Sequence, residues 1–391
     1  MTNRVGGFIG QDGLNAPDEP TAVSATAGDT QATVSFTAPS DVGGSAITGY
    51  RAQSNDGIGA SGSASPITVT GLTNGTAYTF RVWAINAFGY SAPSGASGSV
   101  TPAAPTGLFG GGNTGARVNV IQYITIASTG NATDFGDLTV ARDQLAGCAS
   151  ASRGVFGGGF TGSNSRVIDY VTIASAGNAT DFGDLLSAAA QLTACSSSTQ
   201  GLFAGGDTAS GDSNTIAFIT IASTGNATDF GDLLAGTRLF AGCSSQTRGI
   251  FGGAEGAAVT NVIQYVTIAS AGNATDFGDL TVARGELASC SSSTRGLFAG
   301  GQNASNVTVN VIDFITIAST GDATDFGDLL ATKRKFAGCS SATRGVFGGG
   351  ATTGNVIQYV TIASAGNSTD FGDLLGNTQN LAACSNAHGG L

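Results

Sequence analysis

Residues 120–138 read VIQYITIASTGNATDFGDL, and nearly the same words return at 167–185, VIDYVTIASAGNATDFGDL. Working outward from this box gives a unit of about 47 residues, first complete at Gly107 to Arg153. It opens GLFGGG and closes LAGCASASR. The Gly-apolar-Phe opening recurs at Phe109, Phe156, Phe203, Phe251, Phe298 and Phe347, and the Asp-Phe-Gly-Asp-Leu box at Phe135, Phe182, Phe230, Phe277, Phe326 and Phe371. A fixed period of this size is the mark of a repeat architecture. Inside each unit β-branched residues alternate in part with polar ones, and no 3.6-residue stripe runs long enough for a helix. Glycine triplets and Ser-Thr-Gly-Asn runs supply the turns.

Four short strands per unit follow: A around Leu145 to Ser150, B at Gly154 to Phe156, C at Val167 to Ala174 and D at Thr180 to Leu185. The array begins at a strand B, Gly107 to Phe109, and ends with an orphan strand A, Leu381 to Ser385. If that last strand pairs beside the first, six units close and no sheet edge stays open. The expected fold is therefore all-β, with a six-bladed β-propeller of four-stranded blades closed by the C-terminal strand.

The Gly-Gly doublets, Gly110-Gly111 and their counterparts, together with Phe135 and its counterparts, give residues 107–391 a resemblance to kelch-type, galactose-oxidase-like propellers. The Phe lies further from Tyr123 than the usual kelch tyrosine-to-tryptophan spacing, so the variant is divergent. Residues 17–102 differ in pattern, with spaced β segments at Ala32 to Phe36, Ile47 to Gln53, Ile67 to Val69, Ala77 to Asn86 and Gly98 to Thr101. Val34-Ser35-Phe36, Gly49-Tyr50, Gly71 to Tyr78, Val82 to Asn86 and Gly89 to Ser94 resemble a fibronectin type III domain, a β-sandwich. That resemblance implies a tyrosine corner at Leu72 and Tyr78, with Phe36 where the family usually has a core tryptophan. Residues 1–16 read as an extended arm, and 103–106 as a short Pro-bearing linker.

Composition narrows the function. Charged residues are only 10 %, glycines number 62, and the net charge is -11. A basic stripe for phosphate is missing, which argues against a nucleic-acid partner. No apolar run reaches the ~18–20 residues of a membrane span, and the start lacks the pattern of a secretion signal. Cys148, Cys195, Cys243, Cys290, Cys339 and Cys384 take one place per unit on strand A. They read as small buried thiols, neither disulfides nor a metal ring.

Candidate chemistry reads as architecture. Asp-Phe-Gly occurs six times without the other kinase segments. Asp134 and Asp137 have the residue types of calcium ligands or an acid/base pair, yet catalysis needs one distinguished site. The Asp-x-Gly element only faintly resembles the sialidase Asp box, and one histidine, His388, is too few for a galactose-oxidase copper site. His388 is placed at the surface or seam. Asn131-Ala132-Thr133 fits a glycosylation acceptor, but a Gly-Asn turn explains it without sugar. No cofactor or metal is expected, and the chain is read as no enzyme. Structural Arg-Asp pairs are expected between Arg153, Arg248, Arg295 or Arg344 and the boxes at Asp134, Asp181, Asp229, Asp276, Asp325 and Asp370.

Variation between units concentrates in the B–C loops and D–A connections, which fall on one face of an antiparallel blade. Loop variation on one face suggests recognition. The candidate face residues are Arg117, Arg166, Asp207, Asp212, Glu255, Arg142, Arg238, Arg284, Lys333, Arg334 and Lys335. The arm, the sandwich and the words TIASTGNATDFGDL resemble virion proteins of tailed, particularly marine, phages. The resemblance implies a virion component assembled in the host cytoplasm, holding other virion proteins through residues 1–102. Its propeller would meet a host-surface glycan or protein. A ligand-free decoration or connector, and a carbohydrate-active enzyme, are the alternatives.

Overall fold

The computed structural model describes residues 15–388; residues 1–14 of the expected arm, and 389–391, lie outside them. Among the described residues every helix or strand element is a strand. The chain divides into Met1–Ala104 and Pro105–Leu391.

The first unit has two sheets. Thr21–Gly28, Gln31–Thr37 and Ile67–Thr70 form one, and Gly59–Gly62, Gly49–Ser54, Phe80–Asn86 and Gly89–Tyr90 the other, in those spatial orders. Alternation sends Ala32, Val34 and Phe36 inward from one sheet and Phe80, Val82 and Ala84 from the other, a shared core. Phe36 packs on Tyr50 at 4.8 Å between ring centroids. The Tyr78 hydroxyl accepts the Thr73 N–H at 3.0 Å, as the tyrosine corner requires.

Three strands of this unit escape the sequence reading: Thr21–Gly28 and Gly59–Gly62, whose small residues carry no strong apolar alternation, and Gly89–Tyr90, which is only two residues long. The strand expected at Gly98 to Thr101 is reduced to one bridge between Tyr78 and Val100. The edge of Phe80–Asn86 is completed by serines at every third residue instead. Ser91, Ser94 and Ser97 accept the N–H groups of Ala84, Val82 and Phe80 on their hydroxyls, while their own N–H groups return to the carbonyls of the same three residues.

The second unit contains six antiparallel sheets, I to VI, each built on four strands A, B, C and D, and a two-stranded ribbon that pairs Arg284–Gly285 with Gln302–Asn303. Sheet I takes its strand A from the end of the chain, Ala382–Ser385, beside Thr106–Gly110 (B), Val120–Thr125 (C) and Thr133–Asp137 (D). Register pairs Ala383 with Phe109 and Cys384 with Leu108. In sheets II to VI strand A is Ala146–Ala149, Thr193–Ser196, Ala241–Ser244, Ala288–Ser291 and Phe336–Ser340, each followed by its own B, C and D. Strands A touch one another in cyclic order, II to III and onward to VI, then I, then II. Sheet II is enlarged: its strand D, Thr180–Ala190, also pairs with Asp207–Thr208 from the B–C loop of sheet III.

The repeated words make the junctions between sheets. Asn178, in the C–D turn of sheet II, accepts the Asp137 N–H of sheet I at 3.1 Å. Asn226, Asn273, Asp322, Asn367 and Asn131 do the same around the cycle for Asp184, Asp232, Asp279, Asp328 and Asp373. The Gly-Asn turn is thus a staple to the preceding sheet. Gly136 permits it: its φ is +146°, and a Cβ there would run into the Gly177 carbonyl oxygen.

Each cysteine is a spacer. The Cys148 sulfur sits where a Cβ on Gly201 of the next sheet would be 2.7 Å away, and Cys384 meets Gly154 likewise. All six are free and buried, and burial raises every thiol pKa, Cys243 to about 12. Thiolate chemistry is thereby suppressed.

Serines clip strands A together. The Ser196 hydroxyl donates to the Ala149 carbonyl and accepts the Ala149 N–H. Ser244, Ser291, Ser340 and Ser385 repeat the clip on the sheet before each. Ala149 stands where a sixth serine would clip sheet II to sheet I. Beside it lies His388, whose Nε2 is 3.0 Å from the Ala149 carbonyl oxygen and 3.2 Å from Ser196 Oγ. Burial lowers the His388 pKa.

The expected Arg-Asp pairs do not form. Arg153, Arg248, Arg295 and Arg344 stack on Tyr170, Tyr265, Phe314 and Tyr359 of strand C, with 4.6–4.9 Å from guanidinium to centroid. Each donates to a backbone carbonyl of the next sheet, Arg153 to Ile221 at 2.9 Å and the others to Ile317, Ile362 and Ile126. The reason is lateral. Arginine on strand B reaches its neighbour C, whereas Asp134, Asp181, Asp229, Asp276, Asp325 and Asp370 lie one strand further out with exposed side chains.

Candidate interaction face

The B–C loops and D–A connections lie at one end of the sheets, because antiparallel strands return alternate connections to the same side. Just before each strand A a single residue turns with positive φ: Gln144, Gln191, Leu239, Glu286, Lys335 and Asn380, all between 54° and 59°. None is glycine, so each carries the strain of the left-handed region. A closed circuit of backbone bonds holds them there. Each N–H donates to the carbonyl of its counterpart in the preceding sheet, Gln191 to Gln144 and onward until Gln144 donates to Asn380.

These six residues rim an axial cavity of ≈ 130 Å³ whose walls are the starts of strands A. Below it a smaller cavity of ≈ 50 Å³ is lined by the cysteine and serine rows and by His388. The rim has one ionic sector, in which Glu286 binds Arg334 at 2.5 Å and Lys335 at 3.3 Å. Burial and the nearby Glu286 raise the Glu255 pKa against the opposing pull of Arg238, Lys335 and Arg334. Elsewhere the rim is amide and leucine.

Of the candidate face residues, Arg117, Arg166, Asp207, Asp212, Glu255, Arg238, Arg334 and Lys335 are at this face, and most are engaged there. Arg117 meets Asp143 at 3.3 Å and covers the Phe160 ring at 4.5 Å. Arg238 meets Asp212 at 2.7 Å, Arg166 meets Asp184 at 3.5 Å, and Asp207 accepts from Asn164.

Arg142, Arg284 and Lys333 do not belong to the surface: their exposures are 0 %, 0 % and 1 %. Each turns inward from its D–A connection to the junction with the next sheet. Arg142 binds Asp169 at 3.0 Å and Arg284 binds Asp313 at 2.9 Å, both pairs fully buried. Thr139 and Thr281 add hydroxyl and N–H bonds to the same carboxylates. Lys333 donates to the carbonyls of Val356 and Thr353, and burial lowers its pKa to about 8.

Sequence reasoning missed Asp169 and Asp313, although a signal existed. The two units that spell Thr-Val-Ala-Arg are each followed by a unit that spells Val-Ile-Asp, at Asp169 and Asp313. Where the strand C residue is Gln122, Gln264 or Gln358, its side-chain oxygen accepts the N–H of Leu375, Leu234 or Leu330 from the preceding sheet.

Among the described residues, no three His, Cys, Asp or Glu side chains come together to hold a metal ion, and no helix is long and apolar enough to cross a membrane. Comparison with known proteins places a fibronectin type III domain at residues 18–99, in agreement with the sandwich and its tyrosine corner. No curated protein matches the chain.

Proposed function

We propose that the chain is a non-catalytic structural component of a larger particle, of the tailed-phage virion kind that its repeat words resemble, and that residues 107–391 act as a six-bladed propeller of kelch type. The reading extends to its placement: residues 1–102 hold neighbouring virion proteins, and the B–C and D–A loop face makes the outward contact. One observation carries the choice of a presenting surface over an enzyme. Most of the variable charged residues of this face are engaged with one another, as in Arg117–Asp143, Arg238–Asp212 and Arg334–Glu286. Among the described residues, no titratable group is left in the axial cavity as a lone acid or base of the kind general catalysis uses.

Of the two contacts weighed for this face, protein packing is favoured over glycan capture. In the six-sheet unit the exposed large apolar side chains among the described residues are aliphatic, and none is aromatic. The chain then serves as a decoration or connector, and attachment to a host surface is the second reading. Mass spectrometry of purified particles, followed by cryo-electron microscopy that places the chain, tests this. Expected are stoichiometric incorporation and a loop face covered by protein. A chain absent from particles overturns the structural role, and a loop face bare to solvent returns the attachment reading.

A further inference from the structure

Strand A has a neighbour in its sheet on one side only, strand B, so its other edge turns N–H and C=O groups toward the axis. At the row of Ala149 those groups are already served. A hydroxyl from the next sheet accepts the N–H and donates to the C=O, as Ser196 does for Ala149. Two residues earlier on each strand the backbone points the same way, because ladder bonds alternate along an antiparallel strand. That row is Gly147, Ala194, Gly242, Ser289, Gly338 and Ala383, each opposite the phenylalanine of its strand B. All six line the axial cavity of ≈ 130 Å³. Among the described residues, one of them has the serine solution: the Ser289 hydroxyl donates to the Gly242 carbonyl at 2.7 Å. The equivalent side chains of sheets III and I are Ala194 and Ala383, methyl groups that cannot hydrogen-bond. The carbonyls of Ala383, Ala194 and Ser289 face Gly147, Gly242 and Gly338, where a Cβ would run into them. No side chain at those glycines can serve them.

The mouth of the cavity adds a second observation. Most residues of this chain with positive φ are glycine, yet all six rim residues keep a side chain there, at a cost in backbone strain. On one arc of the rim, Asn380, Gln144 and Gln191 come from the consecutive sheets I, II and III. Their three carboxamides make no hydrogen bond among the described residues. The charged rim residues Glu286 and Lys335 lie on the other arc and are paired.

We infer that the axial cavity binds one compact polyhydroxylated molecule, a cyclic polyol or a monosaccharide. The wall presents N–H and C=O groups side by side and carries no charge, which suits neither a cation nor an anion. A hydroxyl accepts from the one and donates to the other at a single atom, as the serines do one row below. The carboxamides at the mouth offer the same two functions to the remaining hydroxyls. Size agrees: at about 10–15 Å³ per water, ≈ 130 Å³ holds on the order of ten waters. That is room for a molecule of about a dozen non-hydrogen atoms. The site takes one small molecule between its walls, so it is separate from capture of a glycan by the loop surface and does not rest on what covers that surface.

Isothermal titration calorimetry of the whole chain tests this, with myo-inositol, glucose, galactose and mannose as probes and the methyl glycoside of each sugar beside it. Expected is one-to-one binding of at least one probe, with a dissociation constant below about 10 mM. The variant Ala194→Ser/Ala383→Ser copies the Ser289 clip onto the Gly147 and Gly338 carbonyls. It should weaken binding at least about 10-fold while melting temperature stays level or rises. The variant Gln144→Ala/Gln191→Ala strips the amide arc and should weaken binding about 5–30-fold. A methyl glycoside that binds as well as its free sugar identifies the end of a longer glycan as the source; one that fails identifies the free molecule. No probe bound, or affinity unchanged in either variant, overturns the inference. Neither result bears on whether the chain is found in particles, which the mass spectrometry decides separately.

Discussion

The junction of sheets I and II and the junction of sheets II and III are built on the same backbone plan but filled in opposite ways. In the first, Arg142 and Asp169 are buried as an ion pair supported by Thr139. In the second the equivalent residues are Ala189 and Ala217, and a cavity of ≈ 40 Å³ lies between them. The Arg284–Asp313 junction repeats the first solution. The junction of sheets V and VI stops between the two, with the cation Lys333 but Gln358 in place of a carboxylate. What is common to all six is the backbone stapling by the Asn or Asp of the C–D turn. The polar filling is therefore separable from the scaffold, and a buried pair is weak evidence that it stabilises.

The sharpest way to break this comparison is Asp169→Ala, which leaves Arg142 buried without its counter-charge. A loss of about 3–5 kcal/mol is expected from denaturant titration; a loss near zero would mean that Arg142 escapes to water. Next comes the double variant Arg142→Ala/Asp169→Ala, which copies the alanine junction. It should recover about 1–3 kcal/mol relative to the sum of the single losses, and strict additivity would show that the two side chains do not interact.

Lys333 gives a pH test. Its folded pKa of about 8 lies below the ordinary 10.5, so between those values the unfolded chain binds more protons and stability rises with pH. Below pH 8 the charged amine weighs on the fold in full. Lys333→Met should stabilise by about 1–3 kcal/mol at pH 7 and abolish the rise between pH 8 and 10.5; an unchanged pH profile would locate the titration elsewhere. The smallest effect is expected of Ala217→Gln, whose oxygen can accept the Leu186 N–H as Gln264 accepts that of Leu234. A gain of about 0.5–1.5 kcal/mol in chemical denaturation is expected, and a loss would show that the II–III junction has closed differently.

Much of this architecture is legible in the amino-acid sequence. The period, the number of units, the four strands in each and the pairing of Ala382–Ser385 beside Thr106–Gly110 follow from where the words start and stop. The fibronectin type III sandwich follows from its turn and tyrosine words. The burial of six equivalent cysteines is also readable. The partners of charged side chains are not. Sign alone matches Arg153 and its counterparts to aspartates, but a strand spacing intervenes and the aromatic neighbour on strand C is nearer. Arg142, Arg284 and Lys333 stand in variable loops and look like surface, yet each lies at a junction.

By itself, then, the sequence determined the repeating backbone: periodicity, turn residues and small-residue positions act locally, and each copy repeats the same local instruction. Only the tertiary structure decided which loop residues face water and which are sealed between sheets. That depends on contacts such as Arg142 to Asp169, set by the way one sheet lies on the next, and a variable loop carries no local sign of them.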